Sequence, residues 1–254
     1  MTSALIGHTG FVGSNLLAQG QFDAVFNSKN IEEIQGRSFD RIVCAGARAN
    51  KWLVNKSSKE DVAEINRLLS CLSTVEASQF TLISTVDVYA EPTDVTEDTW
   101  PRYAGLHAYG RNRFWLENDV QGRFDNVRVV RLPALFGPGL KKNALFDLMN
   151  GHRVQHLHPD STYQWYPLGR LSSDLAVIEA ADVDVVNLVT EPIATRDIAR
   201  RFFPKQELSI PAGPPVHYDV KTKHANLWGN ATSSVMNRNE VLSEMSDFLL
   251  TEAA

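Results

Sequence analysis

Short apolar runs alternate with stretches whose apolar residues recur every three or four positions, and this alternation fills the first two-thirds of the 254-residue chain. The runs at 4–6, 24–26, 41–45, 80–84 and 127–132 are strand-sized and predict strands. The helical spacing predicts helices over 11–18, 61–75 and 109–120. Such alternation predicts an α/β fold built on a doubly wound parallel sheet, with helices on both faces. The stretch between Phe26 and Arg41 is short for a full crossover, so one element there is expected to be abbreviated. Beyond Arg131 the texture changes. Pro133, Gly137-Pro138-Gly139 and the His- and aromatic-rich stretch 151–167 read as loops and short helices around a pocket. A strand at 185–189 and a helix at 193–203 are expected to return to the sheet. The Pro-containing stretch 204–230 reads as a loop, and a helix at 240–250 closes the chain.

Composition narrows the functional classes. A formal net charge of −5 and no Lys/Arg-rich run argue against a nucleic-acid partner. The longest apolar stretches are strand-sized, which argues against a membrane span, and no signal-peptide pattern precedes the first strand. Cys44 and Cys71 form no metal or disulfide pattern and read as small core residues of a reduced, cytoplasmic protein. His152, His156 and His158 lack the Cys or Glu partners at metal-ligand spacing, so no metal is expected.

The densest chemical signal is Gly7-His8-Thr9-Gly10-Phe11-Val12-Gly13, between the first strand and the first helix. Glycine permits a tight turn there and close approach of backbone N–H groups to a pyrophosphate, with the positive end of the helix dipole facing the anion. The spacing is G-x-x-G-x-x-G, distinct from the G-x-G-x-x-G dehydrogenase fingerprint. Two later segments belong with it. In 82–89 a buried strand runs into Ser84, Thr85 and Asp87, and ligands of such sheets gather at the carboxyl ends of strands. In 109–113, Tyr109 and Arg113 stand at i and i+4 on one helix face. A phenol ordinarily ionises near 10, and a fixed cation beside it favours phenolate.

On these residues the chain resembles the extended short-chain dehydrogenase/reductase family, the NAD(P)-dependent epimerases, dehydratases and reductases of nucleotide-linked sugars. The resemblance rests on Gly7, Gly10 and Gly13, the strand end Cys44-Ala45-Gly46, the segment 84–89, Tyr109 with its cation, and the segment 131–138, all in the family's order. Gln164-Trp165-Tyr166 followed by Asp174 is a weaker match. The resemblance implies a Rossmann-like domain over 1–132, completed by about 174–203, and a small C-terminal substrate lobe from 133–173 and 204–254. It implies that Tyr109 is the general acid/base and that Thr85 hydrogen-bonds the same substrate oxygen. Arg113 stands where the family has Lys, a residue that tunes the tyrosine and binds the nicotinamide ribose. Arg keeps the charge but not the ammonium's point contacts. Asp87 falls at the site of a second acid/base, with a cap or loop anchor as the alternative. The acid that dehydratases carry beside it is Val86 here, which disfavours that reaction.

The cofactor-binding residues implied are Gly7, Thr9, Gly10, Phe11, Val12, Gly13, Asn27, Ser28, Lys29, Cys44, Ala45, Gly46, Arg113 and Pro133. After the second strand stands Asn27 rather than a carboxylate, followed by Ser28 and Lys29, which favours NADP over NAD. Asn66 is a candidate supporting asparagine. Candidate substrate contacts are Asp87, His107, Lys141, Lys142, His158, Gln164, Trp165 and Tyr166. Phe114, Trp115 and Leu116 could serve a homodimer contact or the core. The expected function is an NADP-dependent oxidoreductase or epimerase acting on a hydroxyl or carbonyl of a sugar-like small molecule. The alternatives are a non-catalytic NAD(P)H sensor and a reductase of small carbonyls without a nucleotide.

Overall fold

In the computed structural model, which describes residues 1–252, the elements run in chain order as follows. Strand β1 (Ser3–Ile6) leads to helix α1 (Phe11–Gln19), β2 (Ala24–Phe26) and β3 (Ser38–Cys44). Helices α2 (Lys51–Lys56) and α3 (Ser58–Leu72) precede β4 (Glu76–Thr85), α4 (Ala108–Arg123) and β5 (Val127–Leu132). Then come β6 (Ala134–Phe136), α5 (Ala144–Asn150), β7 (Thr162–Pro167) and α6 (Leu171–Ala180). Strands β8 (Val185–Asn187) and β9 (Pro192–Ala194) and helices α7 (Thr195–Phe202) and α8 (Arg238–Glu252) complete the series.

Two compact units emerge. The first comprises Met1–Ala90, Thr99–Arg131 and Gly169–Val186, and the second Glu91–Asp98, Leu132–Leu168 and Asn187–Ala254. This division differs from the expected one. Residues 187–203, including β9 and α7, belong to the second unit, as does the excursion 91–98.

The first unit carries a six-stranded parallel sheet in the order β2-β1-β3-β4-β5-β8. Between Phe26 and Ser38 the crossover shrinks to one 3-10 turn, Ile31–Ile34, whose Ile31 and Ile34 are buried. The expected abbreviation is therefore real. The chain leaves β1 on one side for β2 and returns on the other as β3. The carboxyl ends of β1 and β3 thus flank a topological switch point, where α/β sheets place their ligands. Register fixes the approach there, since Ala4 pairs with Ile42 and Ile6 with Cys44. The core is formed by Ile6, Phe26, Ile42, Cys44, Leu68, Phe80, Leu82, Leu116, Val120 and Val129, with Phe80 stacked on Phe124 at 4.5 Å. Phe114 and Leu116 are buried and Trp115 packs against this core, so the α4 aromatics are core residues.

The second unit holds a three-stranded sheet, β6-β7-β9, with β7 parallel to β6 and antiparallel to β9. Over 133–167 loops and short helices were expected, not strands. Asn143 caps α5 by accepting the Phe146 N–H at 3.0 Å, and Gly151 ends the helix in the left-handed conformation (φ 60°). No helix among the described residues is long and apolar enough to cross a membrane.

Candidate active site

The glycine turn is built by close packing that side chains would forbid. Gly7 takes φ +87° and donates its N–H to the Phe26 carbonyl at 2.7 Å. A Cβ on Gly7 would lie 2.6 Å from the Ala45 carbonyl carbon and 2.8 Å from the Gly46 nitrogen. A Cβ on Gly13 would lie 2.7 Å from the Gly7 carbonyl carbon, whereas one on Gly10 would stand 3.3 Å from the Gly7 oxygen. Gly7 and Gly13 are therefore obligatory, and Gly10 less so. Among the described residues no side chain caps α1, because Gly10 occupies the position before it. The first turn of α1, starting at Phe11 and Val12, thus presents backbone to an anion. Thr9 is exposed beside it, and Ala45 and Gly46 line the adjacent end of β3. These residues fit the pyrophosphate of a dinucleotide. Cys44 is buried, and burial pushes its thiol up to about 11, so it is a core residue.

Asn27 is more committed than its position after β2 suggests. Its side-chain amide N–H donates to His8 Nε2 at 3.0 Å, and its side-chain oxygen accepts the Lys29 N–H at 2.8 Å. The amide braces the turn, while the Ser28 and Lys29 side chains stand exposed.

The candidate side chains Thr85, Asp87 and Tyr109 lie where β4 ends and α4 begins. The Thr85 hydroxyl oxygen accepts the Asp87 N–H at 3.2 Å, starting a 3-10 turn over Val86–Val88. Helix α4 packs onto this turn at Gly110, where a Cβ would collide with the Asp87 carbonyl. His107 Nδ1 accepts the Gly110 N–H at 3.0 Å, so His107 is the α4 cap rather than a loop residue without a role. Asn55 of α2 accepts the Tyr109 N–H at 2.9 Å. The asparagine touching the site is therefore Asn55, and Asn66 is exposed on α3. Asp87 is held by Lys51 Nζ at 2.8 Å, with His107 Nε2 at 3.9 Å. Sequence reasoning missed Lys51 because nothing in the apolar stretch pattern marks the short helix α2.

Arg113 departs furthest from expectation. Its side chain is 3% exposed and forms a bidentate pair with Asp61 of α3, itself 4% exposed, at 2.8 and 3.0 Å. Nη2 also donates to the Arg48 carbonyl, and Asn112 donates to Asp61 at 2.8 Å. The guanidinium lies 4.6 Å from the Tyr109 ring centre. Both terminal nitrogens thus already bond within the protein, Nη2 through both of its hydrogens. The phenol of Tyr109 is held above its ordinary value, chiefly because burial penalises phenolate. Arg113 pulls it down, and Asp87 and Asp61 push it up. The cation at i+4 does favour phenolate, as expected, but burial outweighs it.

Ser84 does not emerge beside Thr85. It is buried and donates to Glu117, which also receives the Arg131 guanidinium at 2.7 Å. Arg131 donates in turn to the Tyr89 hydroxyl at 2.7 Å.

In the second unit, Gln164, Trp165 and Tyr166 are 1%, 2% and 0% exposed. Gln164 donates to the Thr190 and Val220 carbonyls at 2.7 and 2.8 Å and accepts the Val220 N–H at 2.9 Å. These three residues stitch that unit's core together, so none is a substrate wall. Pro133 lies half-buried between β5 and β6, and Lys141 and Lys142 are exposed ahead of the α5 cap. His158, with His156, Ser161, Tyr163 and Thr195, lines a cavity of about 240 Å3.

No protein-family model matches the chain, and no curated protein sequence does. Solved structures do. MoeE5 in complex with UDP-glucose and NAD superposes with a TM-score of 0.75 at 13% identity over 100% of both chains. A dTDP-4-dehydrorhamnose reductase from Clostridium acetobutylicum gives the same TM-score, identity and coverage. The UDP-glucose 4-epimerase of Thermotoga maritima, with UDP-glucose, gives 0.74 at 12% identity over 100% of both chains. At such identities the likeness shows the fold, a Rossmann-like doubly wound sheet in a chain that also forms a second unit.

Proposed function

We propose that this chain is an NAD(P)-dependent oxidoreductase or epimerase of the extended short-chain dehydrogenase/reductase type, acting on a hydroxyl or carbonyl of a sugar-like substrate. One observation carries the reading. The unit that holds the glycine cradle also holds Thr85 and Tyr109, at the carboxyl end of β4 and the start of α4. Solved proteins of this fold bound to NAD and UDP-sugars support the same class. Hydride exchange is the chemistry that a bound nicotinamide supplies.

The chain's own residues do the rest. Thr85 already accepts the Asp87 N–H, so its hydroxyl hydrogen is left to donate to a substrate oxygen. Tyr109, held protonated, donates its proton to that oxygen in the reductive direction. Asp87, anchored by Lys51, contributes a fixed negative charge beside them. Gly7, Gly13 and the α1 amino terminus take the pyrophosphate, and the exposed Ser28 and Lys29 favour the 2′-phosphate of NADP.

Tyr109→Phe is the direct test. Turnover of a carbonyl substrate falls by about 10²–10⁴-fold, with NADPH binding retained. Unchanged turnover in a folded variant would remove Tyr109 from the chemistry. A second reading is favoured by the commitment of Arg113 to Asp61, namely a sensor that binds NADPH without turning substrate over. It predicts binding with no activity that Tyr109→Phe abolishes. Replacing Lys141 and Lys142 with Ala tests whether the substrate carries a nucleotide. Loss of affinity for a nucleotide-linked sugar, with none for a small aldehyde, supports a phosphate contact.

A further inference from the structure

The Asp61–Arg113 pair has the build of a dedicated device. Two side chains from different helices, both almost wholly buried, meet with two parallel N–H···O bonds. Asn112 supports the carboxylate from α4, and the Arg48 carbonyl receives a further guanidinium N–H. A bidentate pair fixes the plane of a guanidinium as well as its position. Here the guanidinium fixed in this way lies over the Tyr109 ring, its central carbon 4.6 Å from the ring centre. An ammonium could not make these two parallel bonds to both carboxylate oxygens.

We propose that Asp61 is a positioning residue for this site: its carboxylate locks the Arg113 guanidinium against Tyr109 and offsets its charge, so that the pair acts on the phenol as one unit. This rests on the reading of Tyr109 as the acid/base. The charged groups around that phenol come from every element packed on it. Arg113 lies on α4 and His107 just ahead of it, with the His107 ring 6.3 Å from that of Tyr109. Asp87 lies on the turn after β4 and carries Lys51 of α2, and Asp61 lies on α3. Arg48, whose carbonyl touches Arg113, has its own side chain paired with Glu64 at 2.9 Å. Of these, Asp61 alone is tied to the guanidinium by two bonds. It therefore decides how much of that positive charge the phenol feels.

The test reads the phenol itself and needs no substrate or cofactor. With 3,5-difluorotyrosine placed at position 109 of the full chain, fluorine NMR follows the ionisation of that one ring against pH. In Asp61→Asn the guanidinium charge is no longer offset, and the midpoint falls by about one pH unit. In the double variant Asp61→Asn/Arg113→Gln both charges go, and the midpoint rises above that of the parent. This double variant leaves no buried ion unpaired, and if Asp61→Asn does not fold its midpoint is compared with that of Arg113→Gln, which lies higher still because Asp61 then acts on the phenol without its cation. An unchanged or raised midpoint in folded Asp61→Asn overturns the proposal, as does an unchanged or lowered one in the double variant. If the midpoints move as stated while Tyr109→Phe keeps full turnover, the acid/base reading fails and the role of Asp61 in setting the phenol stands.

Discussion

Gly13 and Gly10 look equivalent in the motif and are not equivalent in space. A methyl group on Gly13 would be driven into the Gly7 carbonyl, while one on Gly10 would meet only a tight contact at 3.3 Å. Gly13→Ala is therefore expected to cost about 1–3 kcal/mol of stability and to weaken NADPH binding by more than about tenfold. Gly10→Ala should fold normally, and thermal unfolding with a fluorescence titration reads both. Tyr109 makes a second prediction at this scale. Its phenol lies above the ordinary value, so the protonated form persists through neutral pH. The reductive rate should stay flat from neutrality upward and fall only as pH climbs past the ordinary phenol range near 10. A descending limb below pH 8 that disappears in Tyr109→Phe would contradict this. The residue types were legible in the sequence, but their partners were not. Asp61 reads along the chain as an acid in the first turn of a helix, a common place for one. Only the packing of α3 on α4 turns it toward Arg113.

At the scale of elements, β5 is the most demanding strand, because it is buried along its whole length yet carries Arg128 and Arg131. Arg131 is accommodated by Glu117 of α4, with Ser84 and Tyr89 completing the network. Removing one partner of a buried pair leaves the other charge uncompensated. Glu117→Gln should then cost about 3–5 kcal/mol in denaturant unfolding, whereas a loss below about 1 kcal/mol would mean that water reaches the pair. The helix–turn contact at Gly110 belongs to the same scale, since it brings Tyr109 to the Thr85 turn. All six of the sheet's strands were readable because each is an apolar run with polar flanks. The 3-10 turn at Ile31–Ile34 was foreshadowed by chain length alone. Strands β6 and β9 have three residues each, too few to show a period of two. In β7, residues 164–167 are all buried, so the run shows no alternation and its aromatics were read as a pocket wall. Helix α6 did carry a signal, Leu171, Leu175 and Ile178, which the change of texture after Pro133 obscured.

At the scale of the molecule, local pattern reported on the first unit far better than on the second. The first is assembled from strands and helices long enough to show their periods, and its ligand-facing turn is fixed by glycines that leave a mark in sequence. The second is held by long-range bonds such as Gln164 to Val220 and Glu97 to Thr222, which no window of sequence contains. The shared candidate residues Gln164, Trp165 and Tyr166 failed for that reason. The proposed function requires that the glycine cradle hold a nicotinamide dinucleotide. The measurement that tests it most directly is a fluorescence titration of the purified, dinucleotide-free protein with NADPH and with NADH. Saturable binding of both is expected, tighter for NADPH, with the preference reduced in Lys29→Ala. A folded protein that binds neither would contradict it.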